Sequence, residues 1–359
     1  MSHDESVNNH QKRADPQMNT TTVGLDIAKS VFHFYAVNRV GKLIKKKVLK
    51  RSEVILAFQQ LEPCTVVMES CGSANYWARE IQNCGHKVKL IAPQYVVPYR
   101  RKNKNDFNDA EAIAEASQRD NMNFVPIKST TQQDIQMLLR VRSRYIEYQC
   151  KLSNQIRGLL AEYGLATSEG KAALRRFIPD VLEDANNGLS ESCRSVFSEL
   201  YQELIELDEK VNSYDKKISI AIKPIEICQR AQTVIGIGPI TAASIYAAIG
   251  LGENFKNGRH FAAWCGLVPC QHSTGGKTML SGITKRGNSY LRMLLVHGAR
   301  TTLQYTSKKE DKLSLWAERL KIEKGYNKAC VALANKLARI VWSVITSGKD
   351  YQLMYDQAA

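Results

Sequence analysis

Two short apolar runs in the first third of the chain each end at an acidic residue, and this pattern constrains the fold most. Residues 22–25 lead to Asp26, and residues 66–68 lead to Glu69. Apolar runs of this length, bounded by polar residues, are typical of buried strands. The carboxylates are therefore expected at the ends of strands, inside an α/β sheet domain that covers about 20–125.

Further elements of the predicted sheet domain follow the same reasoning. We expect one strand over 21–37, further strands near 43–49, 65–68 and 88–92, and a helix over 76–84 that ends at Gly85.

Asp106 and Asp109 lie three residues apart where a helix-like stretch begins at 105–110. On a helix this spacing places both side chains on one face. Two-metal phosphoryl chemistry needs several carboxylates that converge on cations about 4 Å apart. Together with Asp26 and Glu69, the pair is a candidate metal site. The alternative is that Asp106 and Asp109 only cap the helix and complement its dipole.

The chain is strongly basic, with 50 Lys and Arg against 35 Asp and Glu and a pI of about 9.3. Residues 19–165 and 229–359 carry the positive excess, whereas residues 166–228 are acidic. A basic surface around an acidic centre predicts a polyanionic partner, most simply nucleic acid.

Compartment and membrane contacts are predicted from composition. No apolar run approaches the roughly 20 residues that a membrane helix needs, and the polar N-terminus is unlike a signal peptide. The nine cysteines form no CxxC pair. We therefore expect a reduced, cytoplasmic protein without a membrane partner.

The middle of the chain, 126–228, is predicted to be helical. Apolar residues recur there at spacings of three and four: Phe197, Leu200, Leu204, Leu207, Val211, Tyr214 and Ile218. Such a heptad pattern predicts a coiled-coil seam. It suits either two long helices packed within one chain or a dimer seam.

The last predicted domain, 229–348, begins with a glycine turn at Gly236 and Gly238 that opens a helix. This turn resembles a helix-hairpin-helix element, whose backbone amides bind phosphate. The alternative is a tight turn between helices without a ligand. Two helices, near 290–305 and 329–347, are expected to close the domain, and the flanking segments 1–19 and 349–359 are predicted tails.

A loop over 272–288 is rich in glycine, hydroxyl and basic residues. It lacks the first glycine of a phosphate-binding nucleotide loop, so that interpretation is rejected. Ser273 is a candidate nucleophile on a phosphodiester, with cations that would stabilise the transition state: Lys277, Lys285, Arg286 and Arg292. The alternative is a nucleic-acid-contacting loop without chemistry.

Six motifs together resemble the DEDD insertion-sequence transposases, from about residue 20 to 348. They are Gly-Leu-Asp-Ile-Ala-Lys at 24–29, Met-Glu-Ser-Cys-Gly at 68–72, Asn-Asp-Phe-Asn-Asp-Ala at 105–110, Ile-Gly-Ile-Gly-Pro at 235–239, Gly-Leu-Val-Pro at 266–269 and His-Ser-Thr-Gly-Gly-Lys at 272–277.

The resemblance implies a RuvC-like ribonuclease-H fold for the first domain, followed by a helical coiled-coil middle and a helical C-terminal serine domain. It implies a Mg²⁺-binding tetrad of Asp26, Glu69, Asp106 and Asp109, and a phosphoserine link at Ser273. Donor and target DNA, a bridge RNA that guides the reaction, a dimer or tetramer, and association with the bacterial nucleoid are implied in the same way.

Two other functions stay open at the level of residues. One is a metal-dependent, junction-resolving nuclease in which water attacks the phosphate. The other is a non-catalytic nucleic-acid-binding protein, whose affinity would depend steeply on salt.

Overall fold

The structure is a computed structural model that describes residues 21–100 and 105–355. It divides into two compact units, with the division between Ser129 and Thr130. The predicted tail over 1–19 lies outside the described residues. The other predicted tail is described as far as residue 355 and is held in part by a hydrogen bond from the Lys312 amide to the carbonyl oxygen of Met354, at 2.8 Å.

The first unit contains a six-stranded mixed sheet with the order β3-β2-β1-β4-β5-β6. Its strands are β1 (Thr22–Ile27), β2 (Val31–Val37), β3 (Leu43–Lys50), β4 (Thr65–Glu69), β5 (Lys87–Ile91) and β6 (Phe124–Val125). The central strands β1, β4 and β5 run parallel, and the flanking strands run antiparallel to their neighbours. A mixed sheet combined with helices is consistent with the predicted RuvC-like fold.

The predicted single strand over 21–37 is wrong, because the chain turns at residues 28–30 and returns as β2. Ala28, Lys29 and Ser30 are exposed, whereas the residues on both sides of them are mostly buried. The two strands are both apolar, so hydrophobicity alone does not reveal the short polar turn between them. The turn matters for the site because it places His33 opposite Asp26 in the sheet.

Four helices accompany the sheet: α1 (Val54–Gln59), α2 (Ala74–Asn83), α3 (Pro93–Val96) and α4 (Asp106–Ser117). Helix α4 packs directly on β1, because Gly24 has no side chain to separate them. A Cβ atom at Gly24 would lie 2.1 Å from the carbonyl oxygen of Ala110 and 2.9 Å from the Cβ of Ala114. The small side chains of α4 complete this close approach.

Over residues 130–355, the helices of the second unit are accompanied by one β-hairpin. These helices are α5 (Thr130–Ala161), α6 (Lys171–Glu183), α7 (Glu191–Ile222), α8 (Glu226–Gln232), α9 (Pro239–Ile249), α10 (Gly258–Trp264), α11 (Ser289–Leu303), α12 (Lys312–Lys324) and α13 (Tyr326–Ser347).

The predicted heptad seam lies on α7 and packs within the chain. Helices α5 and α7 run antiparallel, since Arg142 pairs with Asp215 while Gln149, further along α5, pairs with Asp208. Four seam residues are buried. Phe197, Leu204 and Leu207 lie in a core shared with α5 and α6, and Ile218 lies in a second core. Packing inside one chain was the first of the two uses predicted for the seam, and a coiled coil between copies stays a prediction.

One continuous core joins both ends of the helical middle to the last third of the chain. Ile135 of α5 and Ile218 of α7 are buried in the same cluster as Phe261, Leu295 and the inner face of α13. The predicted boundary at 228/229 therefore crosses a hydrophobic core, and as a domain limit it stays a prediction.

Three helices close this core where the sequence predicted two, because α12 was missed. Asp311 begins α12 as its N-cap and accepts a hydrogen bond from the Ser314 amide at 3.0 Å. The helix has charged residues around most of its surface and no clear apolar face, so hydrophobic periodicity does not mark it.

The predicted loop over 272–288 is largely a β-hairpin, formed by β7 (Pro269–Thr274) and β8 (Lys277–Ile283). The two residues of its turn, Gly275 and Gly276, have φ angles of +57° and +77°. A two-residue hairpin turn with positive φ at both positions favours glycine. The pattern read as a loop thus encodes a tight turn between two exposed strands.

Helix α13 is long and apolar enough to cross a membrane by length and composition alone. Nine of its residues are buried in the core of the second unit, including Leu333, Leu337 and Val341. It is therefore packed as the core helix of this unit.

The contact between Gly24 and α4 gives a test of the fold. We expect Gly24→Ala to destabilise the protein by about 1–3 kcal/mol, because the new methyl group must displace the backbone of α4. Gly72→Ala is the matched control, since nothing lies within 4 Å of its Cβ position, and its effect should stay within about 0.5 kcal/mol. Denaturant unfolding measures both, and equal effects would contradict the close packing.

Candidate functional site

Asp26 and Glu69 lie side by side at one edge of the sheet. β1 and β4 are parallel, and Leu25 is in register with Met68. The next residue of each strand is therefore one of the two carboxylates. Both side chains are partly buried. The two carboxylates thus lie at or next to the ends of their strands, as the apolar runs predict.

Helix α4 supplies the other two carboxylates from its first turn. The helix is capped by Asn105, whose side chain accepts a hydrogen bond from the Phe107 amide at 3.0 Å. Asp109 is buried, whereas the side chain of Asp106 is 58% exposed. Because Asn105 is the cap, capping does not account for the position of the two aspartates.

Three of these carboxylates converge closely. One oxygen atom from each of Asp26, Asp106 and Asp109 lies within 4.8 Å of the others. Glu69 is outside this group of three but is linked to it through Arg100. The guanidinium of Arg100 lies 2.6 Å from Asp109 Oδ1 and 3.6 Å from Glu69 Oε1.

The electrostatics of the cluster favour the uptake of positive charge. Burial raises the pKa of Asp26, and the nearby charges of Asp109 and Asp106 raise it further, while His33 opposes them. Burial also raises the pKa of Glu69, and Arg100 counteracts this effect. Oxygen ligands crowded in this way suit a hard divalent cation, which would relieve their repulsion.

Two residues of the site were missed from the sequence. Arg100 lies in a basic stretch without periodicity, so no sequence signal distinguishes it from its neighbours. His33 has its Nε2 atom 3.7 Å from Asp106 Oδ2, and its ring contacts Phe107 edge-on at 4.9 Å between centroids. Recognising His33 would have required the turn between β1 and β2.

Ser273 lies in the second unit, exposed near the tip of the hairpin. Its hydroxyl oxygen accepts a hydrogen bond from Gln271 at 2.8 Å and lies 3.4 Å from the hydroxyl of Thr278 on the opposite strand. The side chain is therefore open to a large substrate, and one neighbour on each strand orients it.

The four cations predicted around Ser273 differ in their surroundings. Lys277 lies on β8, paired across the hairpin with Thr274, and Lys285 and Arg286 are exposed after the strand ends. Arg292 is half-buried and donates to the carbonyl oxygens of Cys265 and Arg286, at 3.0 and 3.2 Å. Arg292 thus fastens the segment after the hairpin to the helical core.

The predicted glycine turn lies between α8 and α9, and its two glycines have different environments. Gly236 has a φ of +81° and packs against α11, where a Cβ on Gly298 would lie 2.0 Å from the Gly236 carbonyl oxygen. Gly238 is exposed and directly precedes α9. Close helix packing therefore accounts for Gly236, while phosphate binding at either glycine stays a prediction.

Two family models match the chain. A DEDD transposase model of the IS110 type matches residues 23–165, which include all four acidic residues. The model of the IS116/IS110/IS902 transposase family matches residues 228–313, which include the glycine turn and the hairpin.

Similar proteins match over nearly the whole chain. A transposase for insertion sequence element IS1111A from Coxiella burnetii is 43% identical, over 95% of this chain and 94% of its own. A probable family 20 transposase from Pseudomonas aeruginosa is 44% identical, over 93% and 99%. A transposase for insertion sequence element IS1328 from Yersinia enterocolitica is 38% identical, over 92% and 98%.

A DEDD-type domain implies dependence on divalent metal, in agreement with the crowded carboxylates of the first unit. The models of the two transposase domains match one after the other along the chain, and the relatives match over more than nine tenths of it. The chain belongs to the IS116/IS110/IS902 family of transposases, which are enzymes that cut and join DNA.

Proposed function

We propose that this transposase recombines DNA through a covalent phosphoserine intermediate at Ser273, with Mg²⁺ held by Asp26, Glu69, Asp106 and Asp109. The convergence of three carboxylates from a strand and a helix is the observation that carries the metal site. The exposed serine on a hairpin inside the second matched region supports the covalent step.

In the proposed reaction, Ser273 Oγ attacks a phosphodiester phosphorus and forms an Oγ–P bond. The bond from phosphorus to the oxygen of the leaving strand breaks, and this oxygen ends as a hydroxyl. The proton of the serine hydroxyl passes to solvent. A strand-end hydroxyl then attacks the phosphoserine and releases Ser273, so the energy of the broken bond is conserved and no nucleotide triphosphate is consumed.

A bound divalent ion supplies Lewis-acid stabilisation of charge on the phosphate. The carboxylates of the first unit would hold this ion. His33 lies beside Asp106, and Arg100 pairs with Asp109 and Glu69.

The partners belong to the same proposal. The resemblance in motifs supports a bridge RNA that pairs with donor and target DNA, and a dimer or tetramer in which the acidic site of one subunit meets the serine of another. Lys277, Lys285 and Arg286 are exposed beside the hairpin and would contact the nucleic-acid backbone, as would the turn at Gly236 and Gly238. We place the active protein in the cytoplasm, at the nucleoid.

The first of three predictions from the proposed function concerns the covalent intermediate. Protein purified with its co-expressed RNA is incubated with labelled element-junction DNA and Mg²⁺, and denaturing gels show any stable protein–DNA adduct. We expect Ser273→Ala and Asp109→Asn each to reduce the adduct by several orders of magnitude. Ser281→Ala, which removes a hydroxyl from the other strand of the same hairpin, should form it normally.

Three outcomes of this assay would contradict the proposal. Suppose that Ser273→Ala still cleaves DNA without forming an adduct, and that Asp109→Asn does not cleave. The protein would then be a nuclease that uses water. Loss of the adduct in Ser281→Ala alone would move the nucleophile to the other strand. Full activity in Asp109→Asn would exclude the acidic site from the chemistry.

The second prediction concerns the repulsion at Asp26, whose folded-state pKa is raised above the ordinary 3.8. A raised carboxyl pKa lowers stability above that pKa and has no effect below the unfolded value. In the presence of a chelator at pH 7, Asp26→Asn should therefore be more stable than the wild type, and the difference should shrink towards pH 4. Denaturant unfolding at several pH values measures it.

Asp120→Asn is the control for this second prediction, because it makes the same charge change at an exposed position after α4. It should leave stability nearly unchanged at every pH. If Asp26→Asn were less stable than the wild type at pH 7, the carboxylate would be stabilised by its surroundings and the cluster would have no need of a cation.

The third prediction treats Arg100 as an internal cation that competes with metal for Asp109 and Glu69. A partly exposed ion pair contributes about 1 kcal/mol at most, so Arg100→Gln should tighten metal binding by about fivefold. Calorimetric titration with Mn²⁺, which shares the oxygen-ligand preference of Mg²⁺, measures the affinity without DNA.

Arg119→Gln is the matched control for Arg100, because Arg119 pairs with the exposed Glu115 on α4. It should bind Mn²⁺ as the wild type does. Weaker binding in Arg100→Gln would mean that Arg100 positions the carboxylates for the ion instead of competing with it.

A further inference from the structure

A cavity of about 520 Å³ lies in the second unit, between the start of α10 and the middle of α13. None of its lining residues belongs to the acidic cluster or to the serine hairpin. The lining residues are Asn257, Gly258, Arg259, Lys336, Arg339, Ile340, Trp342 and Ser343.

Three cations line this cavity, and no acidic residue does. Arg259 comes from α10, and Lys336 and Arg339 come from α13. Within residues 21–100 and 105–355, none of the three has an acidic partner at ion-pair distance. This differs from Arg142 and Arg175, which pair with aspartates in the same unit.

The packing of α10 on α13 forces the cations together. A Cβ atom on Gly258 would lie 2.9 Å from the carbonyl oxygen of Arg339, so only glycine permits this approach. Arg259, the next residue, is thereby placed beside the exposed Arg339. The helix contact thus fixes the backbone positions from which Arg259 and Arg339 extend into the cavity.

The remaining walls are also held in place. The ammonium of Lys336 lies 4.0 Å from the centroid of the Trp316 ring. Burial, and then the charge of Arg339, lower the pKa of Lys336. The indole of Trp342 donates a hydrogen bond to the carbonyl oxygen of Gly252 at 3.1 Å. A pre-organised group of cations that repel one another is stabilised by an anion.

We infer that this cavity is a second DNA-binding site, in which Arg259, Lys336 and Arg339 bind phosphates of a DNA backbone. Two arginines match the fork geometry of phosphate oxygens, and the lysine adds a fixed point charge between the helices. The volume is large enough for a nucleotide-sized group. DNA is the polyanion on which this family acts, so its backbone is the ligand that the charge pattern fits.

The test removes two of the cations and measures DNA binding by the full chain. Arg259→Ala/Arg339→Ala is compared with the wild type by fluorescence anisotropy on an element-end duplex, at 0.05 to 0.3 M salt. Each phosphate contact contributes about 0.9 to the slope of log affinity against log salt, so the slope should fall by about 1.8 and affinity at 0.15 M by about 30-fold.

Matched variants separate local contacts from total charge. Arg319→Ala/Lys324→Ala removes two exposed cations from α12 and should change affinity by less than about threefold. Arg259→Lys/Arg339→Lys keeps both charges and should retain the salt slope. Since both arginines are exposed, all variants are expected to melt at the wild-type temperature. If the alanine pair does not fold, the single variants Arg259→Ala and Arg339→Ala test the site, and each should lower the slope by about 0.9.

Three results would overturn the proposal. Equal losses in the two alanine pairs would show a general charge effect. An unchanged slope in Arg259→Ala/Arg339→Ala would exclude phosphate contacts at the cavity. Loss of binding only to a labelled RNA of the same length, with DNA binding intact, would assign the cavity to RNA. None of these results depends on Ser273 or on the acidic cluster, so the proposed reaction is tested separately.

Discussion

The repulsion among Asp26, Asp106 and Asp109, whose oxygens lie within 4.8 Å of one another, is the constraint around which the first unit is built. Such a cluster persists only where the surrounding fold opposes its separation. The buried central strands and the close approach of α4 to Gly24 provide that resistance. The stability of the sheet thus holds these charges at the site where we propose that a cation binds.

Two side chains of the protein itself lie against the acidic residues. Arg100 bridges Glu69 and Asp109, and His33 lies beside Asp106. A DNA phosphate would be repelled by the bare carboxylates, so a positive charge has to stand between them. Divalent metal fulfils this requirement in DEDD-type enzymes, and the basic residues of the rest of the chain attract the DNA over a longer range.

In the second unit, the residues that form the stabilising core are separate from the residues that we propose contact DNA. Its core extends from α5 and α7 through α13, whereas the hairpin with Ser273 is almost entirely exposed and adds little to that core. Arg292 fastens the segment after the hairpin to the helical core. The cation-lined cavity between α10 and α13 is likewise formed by core helices, so both surfaces rest on the same rigid base.

Much of this architecture could be predicted from local sequence. The apolar runs before Asp26 and Glu69 predict strands because burial favours such runs, and parallel strands then place the two carboxylates at one edge. Asn105 and the pair Asp106 and Asp109 mark the beginning of a helix. The heptad spacing on α7 predicts a packed helix, although it does not identify the partner helix.

What only the tertiary structure decided is which distant groups meet. Arg100 and His33 join the acidic cluster, and Arg259 joins Arg339, through contacts between segments far apart in sequence. Helix α12 is defined by its cap and its packing, not by an apolar face. Periodicity reports which face of an element is buried, because burial repeats with the backbone geometry. Which residue lies on the other side of a contact follows no such repeat, so it cannot be predicted from sequence periodicity.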